Sequence, residues 1–228
     1  MDAAVEPIDA APEGTAALEL RGVVKSWGDQ HVLREVDLAL DPGTVVAIAG
    51  RNGAGKTTLL RVASGLILPE RGAVRLDGLD PERDRTEFQS RLGYLSAGNS
   101  GLYARLKAEH HLELATKLAL MPRRERRPAI ERALQAFELE QLCGRRVDRL
   151  SMGQRQRLRL ALSFVHQPSV VLLDEPSTSL DQDGRALVQQ ALNDLKARGG
   201  CAIVCVPTGG EPLPVVDRVL ELSEGRLL

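Results

Sequence analysis

The stretch GRNGAGKTT (residues 50–58) lies between the apolar run TVVAIAG (44–50) and the helix-like run TTLLRVASGL (57–66). It matches the pattern G-x-x-x-x-G-K-[ST], in which glycines let the backbone curl so that its N–H groups point at phosphates. The helix that follows adds the partial positive charge of its N-terminus. The stretch therefore predicts a nucleotide-phosphate site made by Gly50, Arg51, Asn52, Gly53, Ala54, Gly55, Lys56, Thr57 and Thr58.

Two side chains in this stretch carry specific roles. Lys56 can reach the β- and γ-phosphates of a nucleotide, and the Thr57 hydroxyl can be a ligand of Mg²⁺. The alternative is a chance glycine-rich turn. It is disfavoured because a strand, a helix and the Lys-Thr pair are all present, so we expect ATP and Mg²⁺ as the ligands.

A second motif, VVLLDE (170–175), follows far downstream. A buried strand that ends in Asp174 would place a carboxylate beside the metal, and Glu175 could polarise an attacking water. Apolar runs that end in Asp-Glu are common, so the motif is weak alone. In the order found here it predicts a nucleotide hydrolase with Glu175 as the catalytic residue.

Strand-like and helix-like segments alternate along the chain, which indicates an α/β fold with a mostly parallel sheet. The segments LELRGVV and HVLREVDLAL, separated by the turn SWGDQ, predict an antiparallel β region near the N-terminus. Residues from about 97 to 165 lose strand signals and predict an inserted helical lobe. We therefore expect residues 1–16 to form a flexible tail and residues 17–228 to form one nucleotide-binding domain of the P-loop NTPase class.

Composition limits the other functions. The net charge of -1 over 228 residues gives no support for binding nucleic acid, and none is expected. No apolar run approaches the roughly 18 residues of a membrane helix, so a membrane role would need a partner. The three cysteines, Cys143, Cys201 and Cys205, are interpreted as buried small side chains in a reducing compartment.

The segment LSMGQRQRLRLAL (150–162), followed by VVLLDEPSTSLD (170–181), indicates the family. In this order the two resemble the signature motif, Walker B segment and D-loop of ATP-binding cassette (ABC) proteins. The resemblance covers nearly the whole chain after the tail. P-loop kinases and GTPases lack the signature segment.

The resemblance implies further site residues and a dimer, formed either by two copies or with a related subunit. In the signature motif, Ser151, Gly153 and Gln154 would face the γ-phosphate bound to the other protomer. In the D-loop, Ser179, Leu180 and Asp181 would lie at the dimer interface. Trp27 lies where the family has an aromatic residue that stacks on adenine, although a tryptophan of the core is an equally good interpretation.

Two family residues are missing. The glutamine that senses Mg²⁺ and water is replaced by Ala97 or Gly98, depending on the alignment, and Asn99 is the nearest amide. The switch histidine that touches the γ-phosphate is replaced by Pro207, with the Thr208 hydroxyl nearby. Packing or surface roles are expected for His31, His110, His111 and His166. These departures predict slow ATP hydrolysis by the isolated protein.

The segment GLYARL (101–106) resembles ATPase subunits of bacterial exporters that have separate membrane subunits. It implies a transmembrane permease partner, attachment to the cytoplasmic face of the cell membrane, and export. A slow or regulatory ABC subunit with a degenerate catalytic site is the alternative. A soluble ABC protein of translation or DNA repair is a third possibility, but such proteins usually carry two cassettes or large insertions.

Overall fold

The computed structural model describes residues 16–98 and 100–228. All of the predicted tail except residue 16, and also Asn99, lie outside the described residues. The strands are β1 Leu18–Trp27, β2 Gln30–Leu40, β3 Val45–Gly50, β4 Arg71–Leu76, β5 Leu92–Leu95, β6 Val170–Asp174, β7 Cys201–Pro207, β8 Arg218–Ser223 and β9 Arg226–Leu227. The helices are α1 Lys56–Ala63, α2 Arg85–Ser90, α3 Ala108–Leu118, α4 Arg123–Ala136, α5 Met152–Phe164 and α6 Gln182–Ala197, with single 3₁₀ turns at Glu140–Leu142 and Val147–Arg149.

The N-terminal region forms a three-stranded antiparallel sheet in the order β2-β1-β4, as predicted. The hairpin between β1 and β2 is tighter than expected, because Trp27 pairs with Gln30 across a two-residue turn. One buried apolar cluster joins this sheet to α1 and to one face of the second sheet, and it includes Leu20, Leu60 and Ile203.

The second sheet has six strands in the order β5-β6-β7-β3-β8-β9, and all but β9 run parallel. Its central strands are apolar throughout because both faces are covered. In β7, Cys201, Ile203 and Cys205 face the first cluster, while Ala202 and Val204 face a second cluster shared with α5, α6 and the helical lobe.

The register of the parallel strands sets the site. Gly50 at the end of β3 is opposite Pro207 at the end of β7, and Asp174 at the end of β6 is opposite Cys205. Because carboxyl ends of parallel strands meet at one edge, the loops after β3, β6 and β7 converge there. Ligands of open α/β sheets bind at this edge.

The helical lobe is built from α3, α4 and the N-terminal part of α5, between β5 and β6. Its core contains Leu112, Phe137 and Leu158 and belongs to the same buried cluster as one face of the six-stranded sheet. Helix α5 therefore runs from the lobe to the sheet. Among residues 16–98 and 100–228, no helix combines the length and apolarity needed to cross a bilayer.

The predicted burial of the cysteines is confirmed for two residues and wrong for the third. Cys201 and Cys205 are buried in β7, and burial raises the pKa of the Cys201 thiol to about 12. Cys143 is exposed because it follows the 3₁₀ turn at Glu140–Leu142 on the surface of the lobe.

Candidate functional site

The loop between β3 and α1 has the backbone that its glycines predict. Gly53 and Gly55 have φ values of 82° and 106°, in the left-handed region where side chains are strained. A Cβ atom at Gly55 would come within 2.9 Å of Val32 Cγ1, and one at Gly50 within 2.7 Å of the Leu222 carbonyl oxygen. These contacts leave no room for a side chain at Gly50 or Gly55.

Lys56 is the first residue of α1 and is only 6% exposed. Its Nζ donates hydrogen bonds to the carbonyl oxygens of Gly50 at 2.5 Å and Arg51 at 3.2 Å. The ammonium group therefore lies inside the loop, at the positive end of the helix. Phosphate oxygens can take the place of these neutral acceptors and form stronger, charge-assisted bonds.

The two residues predicted to hold a metal come together from distant parts of the chain. Thr57 Oγ1 donates a hydrogen bond of 2.7 Å to Oδ2 of Asp174, whose side chain is 2% exposed. A hydroxyl and a carboxylate fit Mg²⁺, which prefers oxygen ligands and takes its remaining ones from water and phosphate. No cluster of three or more His, Cys, Asp or Glu residues lies within the described ranges, so this is not a metal cage.

A cavity of about 430 Å³ collects these groups. Lys56, Thr57, Asp174 and Glu175 line it, as do Asn52, Gly53, Gly55 and Thr58 from the predicted set. Ala54 instead lines a neighbouring cavity together with His31. The structure thus brings the residues predicted to bind phosphate, to hold a metal and to promote hydrolysis to one edge of the sheet.

Glu175 is held in an unusual backbone conformation. Its φ is 52°, and its N–H donates a 3.1 Å hydrogen bond to the carbonyl oxygen of Cys205 on β7. A positive φ is strained in a residue with a side chain and persists only where neighbours enforce it. The chain turns sharply after Asp174, which brings the next carboxylate to the cavity.

The structure places the segment in which the family glutamine is predicted to be missing. Ala97 lines the cavity with Thr57 and Glu175, while the Gly98 carbonyl oxygen accepts a hydrogen bond from Arg159. A methyl group can neither donate nor accept a hydrogen bond, so the side chain at this place offers no polar contact to metal or water.

Pro207, like Ala97, lies beside Glu175. Pro207 and Glu175 both line a second cavity, of about 220 Å³, together with Arg185 and Glu211. The carbonyl of Pro207 accepts a hydrogen bond from the Gly210 N–H at 3.0 Å, which closes a turn after β7. The ring can donate no hydrogen bond, so the strand end presents no donor here.

No histidine of the described chain lines the cavity that contains Lys56 and Glu175. His111 is buried in the lobe, where its Nε2 accepts a 2.9 Å hydrogen bond from the Tyr103 N–H, and burial lowers its pKa. His166 contacts the Leu92 carbonyl oxygen at 3.0 Å. These positions fit the packing roles predicted for the two residues.

Helix α5 begins with a capping box. Ser151 Oγ accepts from the Gln154 N–H at 3.2 Å, and Gln154 Oε1 accepts from the Ser151 N–H at 3.0 Å. Neither residue lines the cavity of Lys56 in its own chain. The predicted signature residues are therefore separate from the phosphate loop that precedes α1.

The predicted D-loop contacts its own chain closely. A Cβ atom on Gly153 would lie 3.4 Å from the Ser179 carbonyl oxygen, and Leu180 is only 8% exposed. Asp181 caps α6 by accepting a 2.8 Å hydrogen bond from the Gly184 N–H, which lowers its pKa together with the nearby Arg157. The Leu180 side chain is buried in its own chain and Ser179 is exposed, and the place of these residues at a dimer interface stays a prediction.

Trp27 is 51% exposed, so the interpretation as a core tryptophan is wrong. It ends β1 at the hairpin, where the chain reverses before a core can cover the ring. Lys25 Nζ lies 5.3 Å from the ring centroid. Stacking of this ring on adenine remains a prediction.

One buried polar pair was missed by the sequence analysis. Gln156 and Arg159 of α5 are each 5% exposed, and they bond to each other and to the loops on either side of the cavity. The available signal was an arginine flanked by leucines on a helix that returns to the core.

Comparisons with known proteins show the family of this chain. A family model described as ABC transporter matches residues 33–178. The cytochrome c biogenesis ATP-binding export protein CcmA of Bordetella bronchiseptica is 37% identical over 216 residues, which are 95% of this chain and 92% of that protein. The Fe(3+) ions import ATP-binding protein FbpC 2 of Rhodococcus jostii is 36% identical over 225 residues, 93% of this chain and 61% of that protein.

Solved structures show the same fold. A dimeric structure of a post-hydrolysis state of the ATP-binding cassette MJ0796, bound to ADP and Pi, has a TM-score of 0.82 and 26% sequence identity. The match covers 92% of this chain and 96% of that one.

Proposed function

This chain belongs to the ABC transporter family, and from that premise we propose that it is an ATP-binding subunit that powers export through a separate membrane permease. The observation that carries the proposal is the convergence of Lys56, the Thr57–Asp174 pair and Glu175 on one cavity. ATP and Mg²⁺ are the proposed ligands. The proposed location is the cytoplasmic face of the cell membrane.

The residues divide the hydrolytic reaction among them. Loop N–H groups and Lys56 bind the β- and γ-phosphates, and Thr57 and Asp174 hold Mg²⁺, which offsets phosphate charge when bound. Glu175 accepts a proton from water as the water oxygen bonds to the γ-phosphorus. The bond from that phosphorus to the bridging oxygen breaks, and ADP and phosphate leave.

A dimer is part of this proposal. Ser151 and Gln154 lie at a helix N-terminus outside the cavity of their own chain, and such a terminus favours an anion. We infer that they meet the γ-phosphate held by the partner. The partner is a second copy or a related subunit, and the likeness to a dimeric cassette supports this arrangement.

Slow hydrolysis follows from Ala97 and Pro207. Water must be held in line with the phosphorus, and the developing charge must be stabilised by groups already in place. The side chains of Ala97 and Pro207 supply no donor at two positions beside Glu175. These same positions support the alternative function, a regulatory subunit paired with a more active one.

Replacing Pro207 with histidine is expected to raise turnover at saturating ATP and to change ATP affinity little. One preorganised donor is worth roughly 3 kcal/mol of barrier, which is about a hundredfold in rate and sets the upper limit of the gain. We expect the turn to tolerate the change, because Pro207 is exposed and the carbonyl that accepts the Gly210 hydrogen bond is present in any residue. Steady-state phosphate release measures the rate.

Thr208→Val provides the matched test of a substitute donor. If the wild type already turns over fast and Pro207→His adds nothing, a slow rate is excluded. A loss of rate in Thr208→Val would then identify its hydroxyl as the group that replaces the imidazole.

The docking surface for the permease is proposed to lie on the helical lobe. Tyr103 is 68% exposed, and Leu118 and Leu120 of the same lobe are 73% and 62% exposed. His111 holds the Tyr103 backbone and stacks near its ring at a centroid distance of 6.0 Å. Exposed apolar side chains on the lobe, with the Tyr103 backbone held in place, are suited to contact a protein partner.

A cysteine introduced at Tyr103 is expected to crosslink to a membrane protein in cells that make the candidate permease. The exposed Cys143 is first changed to serine, so that only the new thiol reacts. Leu66→Cys, at a leucine that is 51% exposed outside the lobe, is the control and should give no such product. Equal crosslinking from both positions, or the protein remaining entirely in the soluble fraction, would contradict the proposed docking.

A further inference from the structure

Arg159 is a buried cation without a carboxylate partner. Its side chain belongs to α5, is 5% exposed, and takes part in no salt bridge among the residues described by the structure. Desolvation lowers the pKa of its guanidinium. Burial of a charge is costly unless polar groups compensate for it, so its surroundings need an explanation.

The compensation comes mainly from one loop. Arg159 Nε donates to the Ser100 carbonyl oxygen at 3.0 Å, Nη1 to that of Gly98, and Nη2 to that of Ser96 at 2.5 Å. Nη1 also donates to Gln156 Oε1 at 2.8 Å, and Nη2 to Ser96 Oγ at 3.2 Å. An arginine has five N–H donors, and each of the five has an acceptor here.

This loop is the one that brings Ala97 to the nucleotide cavity. Ala97, Gly98 and Ser100 are exposed, so packing alone does little to fix their backbone. Instead, hydrogen bonds from the rigid, planar guanidinium of Arg159 to three carbonyl oxygens hold this backbone in place. The position of the loop therefore depends on α5, the helix that begins with the predicted signature residues.

The second arm of the network reaches the residue that follows Glu175. Gln156 accepts from Arg159 through Oε1 and donates through Nε2 to the Pro176 carbonyl oxygen at 3.0 Å. Pro176 directly follows Glu175, whose strained φ depends on its neighbours. One side-chain pair on α5 thus holds the backbone on both sides of the cavity.

We propose that Arg159 is a positioning residue for ATP hydrolysis, which links α5 to the Ala97 loop and, through Gln156, to the segment of Glu175. The inference rests on the proposed function. A movement of α5, whose N-terminus is proposed to meet the partner's nucleotide, would then reach both walls of the chain's own site. In this way the fixed backbone of the loop would provide part of the positioning of metal and water that the Ala97 side chain cannot provide.

The test compares Arg159→Met and Arg159→Lys with Arg126→Met. Methionine keeps an extended side chain without the charge, and lysine keeps the charge with three donors. Arg126 is the matched control, because its Nε also donates to a backbone carbonyl, that of Met121 at 2.9 Å, but in the lobe away from the cavity. The readouts are ATP affinity by calorimetry, turnover at saturating Mg²⁺-ATP, unfolding temperature, and amide hydrogen exchange.

Arg159→Met is expected to lower turnover by about 10- to 100-fold, the cost of misplaced catalytic groups, with ATP affinity within about twofold of the wild type. In Arg159→Met, amide hydrogen exchange should become faster in peptides covering 94–101 and 175–178. In the control Arg126→Met, exchange in these peptides should match that of the wild type. Arg159→Lys should partly restore both the turnover and the slower exchange of these two segments. A purely structural role would instead lower affinity, stability and turnover together.

Unchanged turnover, or unchanged exchange in these two segments, would overturn the proposal. If the methionine variant does not fold, the lysine variant decides the matter, because its three donors cannot serve five acceptors. The exchange experiment needs no hydrolysis. A wild type that failed to hydrolyse ATP would refute the proposed function, while exchange would still report whether Arg159 holds the loop.

Discussion

Lys56→Ala is expected to abolish most Mg²⁺-ATP binding. The ammonium group lies inside the phosphate loop, 2.5 Å from the Gly50 carbonyl oxygen, and is nearly shielded from water. Phosphate charge in this cavity would lose its nearest cation. Removing one member of a buried, hydrogen-bonded charge pair costs about 2–5 kcal/mol, so we expect a rise in Kd on the order of a hundredfold, measured by calorimetry.

Lys117→Ala is the control for this variant. Lys117 is an exposed lysine of the helical lobe, and its Nζ pairs with Glu113, four residues before it, at 2.7 Å. Its replacement should leave ATP affinity unchanged. If Lys56→Ala also bound ATP with wild-type affinity, while circular dichroism showed a normal fold, the phosphate-loop assignment would be wrong.

Glu175→Gln is expected to lower turnover by about 10²–10⁴-fold, the range for loss of a general base. Glutamine has nearly the same shape, so the backbone bond from residue 175 to the Cys205 carbonyl oxygen should survive. The amide cannot take a proton from water, while binding depends on Lys56 and the loop. ATP affinity should therefore stay close to that of the wild type.

A neighbouring carboxylate provides the comparison. Glu211 lines the second cavity beside Glu175 and Pro207. The variant Glu211→Gln should hydrolyse ATP at the rate of the wild type. If Glu211→Gln stopped the reaction and Glu175→Gln did not, the general base would have been assigned to the wrong residue.

The phosphate loop, the Thr57–Asp174 contact and a mostly parallel sheet with an antiparallel N-terminal region were predictable from the sequence. Each depends on a short motif whose glycines, charges and apolar run act locally, and parallel strands bring such motifs to one edge. The exposure of Cys143 and Trp27 was less predictable, since it depends on where the chain turns at the surface.

The burial of Leu180 and the network of Arg159 were not predicted because both depend on long-range packing. Leu180 follows an apparently exposed loop, but it joins the core that α6 covers. Arg159 is part of a basic segment, and only the fold shows that its side chain meets the carbonyl oxygens of Ser96, Gly98 and Ser100 rather than water. Hydrogen bonds to carbonyl oxygens that are distant in the sequence leave no periodic pattern in the sequence.

The measurement that tests the account most directly is the molar mass of Glu175→Gln by light scattering, without and with saturating Mg²⁺-ATP. Two copies that close around ATP should persist when hydrolysis is blocked, so the account predicts twice the mass of one chain with ATP and a single-chain mass without it. Lys56→Ala should remain a monomer in both conditions. A single-chain mass for Glu175→Gln, with calorimetry showing its sites filled with ATP, would contradict closure of two copies of this chain.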